Sequence, residues 1–143
     1  MLKKIEKKEG KRLLNLLKKE YDIEQNIFKN YELYEKNNKI YLGPKNIIEK
    51  AISCGIPIYN LKSKKPSTTF FQSFGMFIKK NIIDLNKEQT IYYIDGKDIL
   101  IVQNEKKYVL VKYKEFSIGC GLIKDNILKN QIPKNKQIRL KYI

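Results

Sequence analysis

The sequence predicts an α+β protein in two parts: a small N-terminal α/β domain over residues 1–85 and a C-terminal β-barrel domain over residues 86–143. In the first part, helical and strand-like segments are mixed, as is typical of an α/β layer. In the second part, a run of short strand-like segments favours a small barrel. The chain has 143 residues, of which 42% are hydrophobic, so it can bury one modest core or two small ones.

The first part begins with a predicted amphipathic helix. Residues 5–21 carry leucines at helical spacing behind a lysine-rich first turn. Two predicted strands, at 31–35 and 39–42, then flank Asn37 and Asn38. Asparagine tolerates positive φ, so this pair predicts a hairpin turn.

A second helix and a third strand are predicted to follow the hairpin. Pro44 suits the first turn of a helix, and Gly55 is a natural residue to end it. Residues 56–61 predict a strand. The polar residues 62–69 predict an exposed basic loop within the first domain.

The second part begins with a predicted short helix. Asp84 or Asn86 can cap it, Gln89 stands in the capping-box position relative to Asn86, and Gly96 ends it. The strand-like segments that follow are 98–102, 108–113, 116–123, 126–129 and 138–142.

Two features of these strands carry further expectations. Gly119 and Gly121 form a Gly-x-Gly inside a strand, which indicates a bulge or a close backbone approach more strongly than a cofactor loop. Residues 108–114 alternate, so one face should pack and the other, with Lys112 and Lys114, should be largely solvated.

The charge of the chain favours a polyanionic partner. The formal net charge is +15, from 30 basic and 15 acidic residues. All the basic residues except Arg12 and Arg139 are lysines, and a compositional bias toward AT-rich codons is an alternative source of that excess. Lysine contacts phosphate as a point charge, so the composition favours contact with a nucleic-acid backbone over reading of bases.

Most catalytic chemistry is excluded by composition. The chain has no histidine, so it lacks Ser-His-Asp and Cys-His catalysis and the common zinc and iron sites. Asp95 and Asp98 could form an acid/base pair, but beside Gly96 they are more simply cap and turn residues. Cys54 and Cys120 lie outside any CxxC pattern and are expected to be buried free thiols.

The location that the sequence predicts is the cytoplasm. No apolar run approaches the roughly 20 residues of a membrane helix, and the N-terminus has no signal-peptide pattern. No membrane partner is therefore expected.

Two segments resemble a known RNA-binding module. IDLNKEQTIYYIDGKDI (83–99) and KYVLVKYKEFSIGCGLIKDNILKNQIPK (107–134) keep the order and spacing of the C-terminal PUA-like module of the Sun-family RNA cytosine-5 methyltransferases. The shared pieces are a Leu-x-x-Glu helix, a Gly-Lys-Asp turn, a Val-Leu-Val strand, an Ile-Gly-x-Gly strand and Leu-Lys-Asn-x-x-Pro-Lys. The resemblance implies a β-barrel with an RNA-facing surface at Gly96, Lys97, Lys129, Asn130 and Lys134.

The C-terminal charges extend this candidate site. The densest basic cluster comprises Lys129, Lys134, Lys136, Arg139 and Lys141. Lys112 and Lys114 are additional candidates, for which a solvated strand face is an equal alternative. Asn130 could instead shape the loop before the last strand.

The resemblance does not extend to catalysis. A Sun-family enzyme also has a nucleotide-cofactor fold and two motif cysteines, which these 143 residues lack. Residues 70–85, FFQSFGMFIKKNIIDL, resemble instead the pre-PUA domain of PUA-containing ribosome-biogenesis factors, which carries a Phe-Gly-x-Phe-x-Lys segment.

The predicted function is non-enzymatic binding of structured RNA, rRNA or tRNA, in RNA processing, modification or ribosome assembly, without a cofactor. An alternative is an accessory subunit that docks onto a separately encoded RNA methyltransferase or assembly factor. That role would need an exposed apolar patch, which the sequence could supply at Phe70, Phe71, Phe74 and Phe77.

Overall fold

The computed structural model describes residues 2–45 and 55–140, with only the backbone for residues 138–140. The described N-terminal elements form one antiparallel sheet with two α-helices. In chain order they are β1 (Lys3–Lys4), α1 (Lys7–Tyr21), β2 (Tyr31–Lys36), β3 (Lys39–Pro44), β4 (Ile56–Asn60), β5 (Lys65–Pro66) and α2 (Thr68–Phe74). The strand order is β1-β2-β3-β4-β5, and short 3₁₀ turns lie at Gln25–Phe28 and Gly75–Phe77.

The C-terminal elements form a second five-stranded sheet that curls into a half-barrel. They are β6 (Ile82–Asp84), α3 (Lys87–Ile94), β7 (Ile99–Leu100), β8 (Lys107–Tyr113), β9 (Phe116–Lys124), β10 (Ile127–Asn130) and α4 (Lys134–Leu140). The strand order is β6-β8-β9-β10-β7, with β6 parallel to β8 and the other pairs antiparallel. Mixed helix and strand, with a curled C-terminal sheet, agrees with the predicted α+β class and C-terminal barrel, whereas the α/β character of the N-terminal domain stays a prediction.

The first helix and the hairpin after it follow the predictions. Helix α1 buries Leu13, Leu17 and Tyr21. Strands β2 and β3 are joined through Asn37 and Asn38, whose φ angles are 51° and 66°. Positive φ at both central residues defines the tight turn that fits the twist of a hairpin.

The prediction that Pro44 begins a helix was wrong. Pro44 is the last residue of β3 and pairs with Tyr31. A proline can occupy this position because the end of a strand tolerates a missing N–H donor. The rest of the predicted helix, over residues 46–54, lies outside the described residues.

The predicted loop over residues 62–69 is shorter than expected. Strand β5 pairs with β4, and α2 begins at Thr68. Ser67 caps this helix, because its side chain accepts a hydrogen bond from the backbone N–H of Phe70 at 2.9 Å. The Ser-Thr-Thr before two phenylalanines is therefore a helix start.

Helix α3 has the predicted capping box. The Asn86 side chain accepts a hydrogen bond from the Gln89 N–H at 2.8 Å, and the Gln89 side chain accepts from the Asn86 N–H at 3.0 Å. Gly96, at φ 89°, turns the chain away from the helix.

Three of the five predicted C-terminal strands are confirmed, as β8, β9 and β10. The segment 98–102 is reduced to β7. The prediction of a strand over 138–142 was wrong for its described residues, because the backbone is helical through 140. The helix starts after Pro133, whose carbonyl accepts hydrogen bonds from the N–H groups of Lys136 and Gln137 at 2.9 and 3.1 Å.

Two hydrophobic clusters lie on the opposite faces of the C-terminal sheet. The first joins the two halves of the chain through Tyr21, Phe70, Phe71, Leu110 and Cys120. The second lies under α3 and includes Tyr93, Val109, Val111, Ile123 and Leu128.

The prediction that the face of β8 with Leu110, Lys112 and Lys114 is largely solvated was therefore wrong at Leu110. That residue is fully buried, because the N-terminal half of the chain covers this face of the sheet. Lys112 is half-buried and Lys114 is exposed.

The aromatic segment is likewise core rather than surface. Phe70, Phe71 and Phe74 are buried, and only Phe77 is partly exposed. The rings of Phe70 and Phe71 pack against Tyr21, with centroids 5.3 Å apart for Phe71, and the ring of Phe74 packs against Phe28. The segment thus packs the N-terminal half against the C-terminal sheet and does not form the exposed apolar patch that the accessory-subunit alternative required.

The two glycines of β9 are close-packing residues, as predicted. A Cβ atom at Gly121 would lie 2.6 Å from Leu128 Cδ1, and one at Gly119 would lie 3.0 Å from Thr68 Cγ2. The β8–β9 register shifts beside Val111, which marks a bulge.

Candidate nucleic-acid interface

Asn130 connects the end of β10 to the turn between α3 and β7. Its side-chain amide donates hydrogen bonds to the carbonyls of Tyr93 and Lys97 at 2.6 and 3.2 Å. Its side-chain oxygen accepts from the Ile132 N–H at 3.0 Å, and its backbone N–H donates to Asp98 Oδ1 at 2.8 Å. Every one of these bonds is internal, so Asn130 fixes the geometry of the surrounding surface.

Helix α4 is held against the same turn. A Cβ atom at Gly96 would lie 2.8 Å from Gln137 Oε1, so only glycine fits there without a shift of Gln137. The Gln137 amide also donates to the Ile132 carbonyl at 2.8 Å. These contacts bring together Gly96, Lys97, Asn130 and the exposed Lys134, a set that we call the α3–α4 surface.

Lys97 carries its charge on this surface. Its Nζ lies 5.0 Å from the centroid of the Tyr92 ring and 3.8 Å from Asp95 Oδ2. Both the lysine and the aspartate are about half exposed, so this ion pair is a weak, solvent-screened contact. The lysine can therefore exchange its partner for a phosphate.

Lys129 points away from the α3–α4 surface. Successive residues of a strand alternate between faces, so Lys129 lies on the face of β10 opposite Asn130. It pairs with Leu122, which in turn pairs with Tyr108, and cross-strand partners share a face. Lys129 therefore lies on the Tyr108 side of the sheet.

Lys112 and Lys114 lie at the far end of the sheet. Lys114 is in the β8–β9 turn, at φ 52°, with its Nζ 5.4 Å from the Tyr113 ring centroid. Lys112 pairs with Ser117 and Asn130 pairs with Gly121, four residues further along β9, so Lys112 lies about 13 Å from Asn130 along the strand and Lys114, in the turn beyond, about 20 Å. The structure does not bring these lysines together with the α3–α4 surface.

A second candidate site, which sequence reasoning missed, lies between the two halves of the chain. It is a cavity of about 690 Å³. One wall is the β4–β5 hairpin and the start of α2, and the other is the start of β8 and the connection from β10 to α4. We call it the interdomain cleft. Its basic and aromatic lining residues are Lys39, Lys65, Lys136, Tyr59 and Tyr108.

Local hydrogen bonds place Lys65 at the centre of this cleft. Lys65 pairs with Asn60 across the β4–β5 hairpin, and the Asn60 side chain closes the turn by accepting from backbone N–H groups. The Lys65 Nζ donates a hydrogen bond to Gln131 Oε1 at 2.7 Å and lies 5.9 Å from the centroid of the Tyr108 ring. The side chain thus spans the cleft from one half of the chain to the other.

The cleft is positively charged. Among the described residues no carboxylate lines it, and no carboxylate oxygen lies within 4.0 Å of Lys39, Lys65 or Lys136. Burial raises the pKa of Tyr59 and that of Tyr108 above the usual value of 10.0, so both phenols are neutral at physiological pH. The site offers cationic nitrogens and neutral rings.

The comparison with known families identifies the C-terminal part of the chain. Residues 80–136 match the family model described as the methyltransferase RsmF PUA domain. This segment is a PUA-like domain. The match confirms the resemblance to the Sun-family module, and no curated protein matches the chain.

The match includes the α3–α4 surface and one wall of the interdomain cleft. It is to the PUA domain, and a catalytic methyltransferase domain is not detected. The opposite wall of the cleft belongs to the N-terminal half, which the match does not cover. Of the predicted site residues, Lys136 lines the cleft, whereas Arg139 lies in α4 with its side chain outside the described atoms.

Asp95 and Asp98, the pair considered for acid/base chemistry, have structural partners. Asp95 caps the end of α3, and its carboxylate lies near Lys97, whereas Asp98 holds Asn130. These contacts support their reading as cap and turn residues.

Cys120 is a buried free thiol, as predicted, whereas Cys54 lies outside the described residues. Burial raises the pKa of the Cys120 thiol to about 12, although the charge of Lys65 opposes the shift. The thiol is therefore protonated at neutral pH and a poor nucleophile.

None of the helices within residues 2–45 and 55–140 has the length and hydrophobicity needed to cross a membrane.

Proposed function

We propose that the protein is a cytoplasmic, non-enzymatic RNA-binding protein that acts on structured RNA, rRNA or tRNA, in RNA processing, modification or ribosome assembly. The observation that carries this proposal is the PUA-like domain at residues 80–136, together with the exposed lysines that it presents. The boundary at residue 85 and the pre-PUA character of residues 1–85 are part of the same proposal.

Lysines of the α3–α4 surface would capture the phosphate backbone. Lys97 and Lys134 are exposed, and Asn130 and Gly96 hold the turn and α4 in place beside them. A-form RNA hides its base edges in a deep, narrow groove, so such a surface would recognise the shape and phosphates of RNA rather than its sequence.

The remaining predicted contacts would depend on the extent of the RNA. Lys129, Lys136 and Arg139 would add charge on the Tyr108 side of the sheet and on α4. Lys112 and Lys114 would take part only if the RNA extended across the sheet, since they lie about 13 and 20 Å away along the strand.

RNA binding is supported better than the accessory-subunit role. Docking onto an RNA methyltransferase or assembly factor depended on an exposed patch at Phe70, Phe71, Phe74 and Phe77, and three of these rings are core residues. The exposed lysines, by contrast, are available to a polyanion.

Removal of the two lysines of the α3–α4 surface tests the proposal. Changing Lys97 and Lys134 to Gln should weaken binding to a blunt-ended RNA hairpin about ten-fold. It should also lower the slope of log K against log salt by about 1.5, since each lost phosphate contact removes roughly 0.7 to 0.9. Fluorescence anisotropy over a salt series measures both quantities.

The matched control removes the same charge elsewhere. Changing Lys3 and Lys7 to Gln deletes two exposed lysines at the N-terminus. A protein that binds only through its bulk charge would lose equal affinity from either set, and that result would contradict the proposal. Calorimetry with S-adenosylmethionine should detect no binding, and micromolar affinity would contradict the non-enzymatic assignment.

A further inference from the structure

We propose that the interdomain cleft binds one unpaired nucleotide of the RNA, with the base stacked on Tyr108 and the phosphate held by Lys65 and Lys136. This inference rests on the proposed RNA-binding function and assigns a second, separate site to it. The site lies where the PUA-like domain meets the N-terminal half, so neither half forms it alone.

The dimensions of the cleft suit a small ligand. Its volume of about 690 Å³ falls within the range of roughly 300–1,000 Å³ that is usual for ligand sites, which are often found between domains. A double helix presents a broad surface and is too large to enter such a cavity. A single nucleotide that leaves the helix can enter it.

Tyr108 is the stacking surface. The residue is partly exposed and its ring lines the cleft, whereas Tyr59 is only 8% exposed and forms the floor. The backbone of Tyr108 is held by a hydrogen bond at 3.0 Å from the Tyr21 hydroxyl to its carbonyl, so the ring is presented from a fixed position. Aromatic rings at such positions stack the bases of single strands.

Lys65 and Lys136 supply the charge for a phosphate. Lys65 contacts a neutral amide and a neutral ring, and Lys136 makes no ion pair among the described residues. A phosphate would therefore enter without displacing a carboxylate. Because the Lys65 Nζ lies 5.9 Å from the centroid of the Tyr108 ring, a stacking base would displace it from the ring face, and its flexible side chain would then reach the phosphate of the same nucleotide.

The chemistry favours an unpaired nucleotide over a duplex. In a helix both faces of each base are covered by neighbouring bases, so a tyrosine ring has nothing to stack on. An unpaired base offers a free face and its Watson–Crick edge. Asn135 and Gln131, which line the cleft beside Lys136, offer amide groups that could bond to that edge.

The test compares two RNAs on the same protein. One is a blunt-ended hairpin whose loop is a non-nucleotide linker, so that it has no unpaired base, and the other is the same hairpin with a short single-stranded extension. The native protein should bind the extended RNA about ten-fold more tightly, as expected for one stacked base. Tyr108→Leu should abolish this gain and leave hairpin affinity unchanged, whereas Tyr108→Phe, which keeps the ring, should retain it.

A second variant acts on charge rather than on the ring. Lys65→Gln keeps a polar side chain opposite Gln131 but removes the positive charge. It should reduce the gain and lower the salt slope for the extended RNA by about 0.7. This variant also tests the cleft if Tyr108→Leu fails to fold, which circular dichroism would report.

The outcomes separate the two proposals. If the hairpin itself is not bound, the proposed function fails. If both RNAs bind equally, or if Tyr108→Phe loses as much of the gain as Tyr108→Leu, the cleft proposal is overturned while RNA binding stands.

Discussion

The substitution Asn130→Ala distinguishes a residue that holds the RNA surface in place from one that touches RNA. The Asn130 side chain makes three hydrogen bonds, to the carbonyls of Tyr93 and Lys97 and from the N–H of Ile132. These bonds tie the end of α3 and the start of the α4 connection to β10. Removal of the amide releases both connections together.

The expected loss of stability follows from these bonds. A typical intramolecular hydrogen bond contributes about 1 kcal/mol net, so three give a loss of about 3 kcal/mol. For a chain of this length, each kcal/mol corresponds to roughly 2–4 °C in Tm, so Tm should fall by about 6–12 °C. RNA affinity should fall as well, because Lys97 and Lys134 lose their fixed relative positions.

Urea denaturation measures the free energy of unfolding, with an unchanged m value as the check on two-state behaviour. The matched control is Asn104→Ala, which deletes the same amide from an exposed loop where no hydrogen bond from a described residue holds it, and which should change stability by less than about 0.5 kcal/mol. If Asn130→Ala were as stable as the control while RNA affinity fell ten-fold, Asn130 would be a direct RNA contact and the positioning argument would be wrong.

Two further predictions concern the packing of β9. Gly121→Ala should destabilise the protein by about 1–3 kcal/mol, since the added Cβ would lie 2.6 Å from Leu128 Cδ1 and 2.9 Å from the Tyr93 hydroxyl; urea denaturation would reveal an error if stability were unchanged. Cys120 should resist iodoacetamide at pH 8 in the folded protein and react after unfolding, because burial raises its pKa to about 12. Peptide mapping by mass spectrometry resolves this cysteine, and rapid alkylation of the native protein would show that the thiol is not buried as described.

Features set by neighbouring residues could be predicted from the sequence. The capping box of α3 and the Asn37-Asn38 hairpin each depend on a few adjacent residues, and both are confirmed. The terminal segment 138–142 misled because its alternating pattern resembles a strand, whereas Pro133 allows a helix to begin before it. The alternation of residues 138–142 does not show that a helix has already begun a few residues earlier.

Features set by distant residues could not be predicted in this way. The burial of Leu110 depends on the N-terminal half lying against a face of the sheet that the local pattern leaves open to solvent. The cleft combines Lys39, Lys65 and Tyr108, which come from separate strands of two different sheets. No spacing along the chain marks residues that meet only after the two halves have packed.

The placement of lysines bears on whether their excess reflects binding or composition. A compositional bias adds lysines wherever the fold tolerates them. Lys4 and Lys107 are of this kind, with their Nζ atoms 3.7 Å from Glu32 Oε1 and 3.6 Å from Glu105 Oε2. Lys65 differs, because a neutral amide and a neutral ring hold its charge in a concave site that no described carboxylate lines. Partly burying the Lys65 charge without an anion beside it costs free energy. An anionic ligand bound in the cleft would offset that cost. Lys65→Gln should therefore stabilise the free protein in either case, but if composition were the whole cause it would leave the binding of extended RNA unchanged. A loss of that binding instead would assign the charge to the ligand.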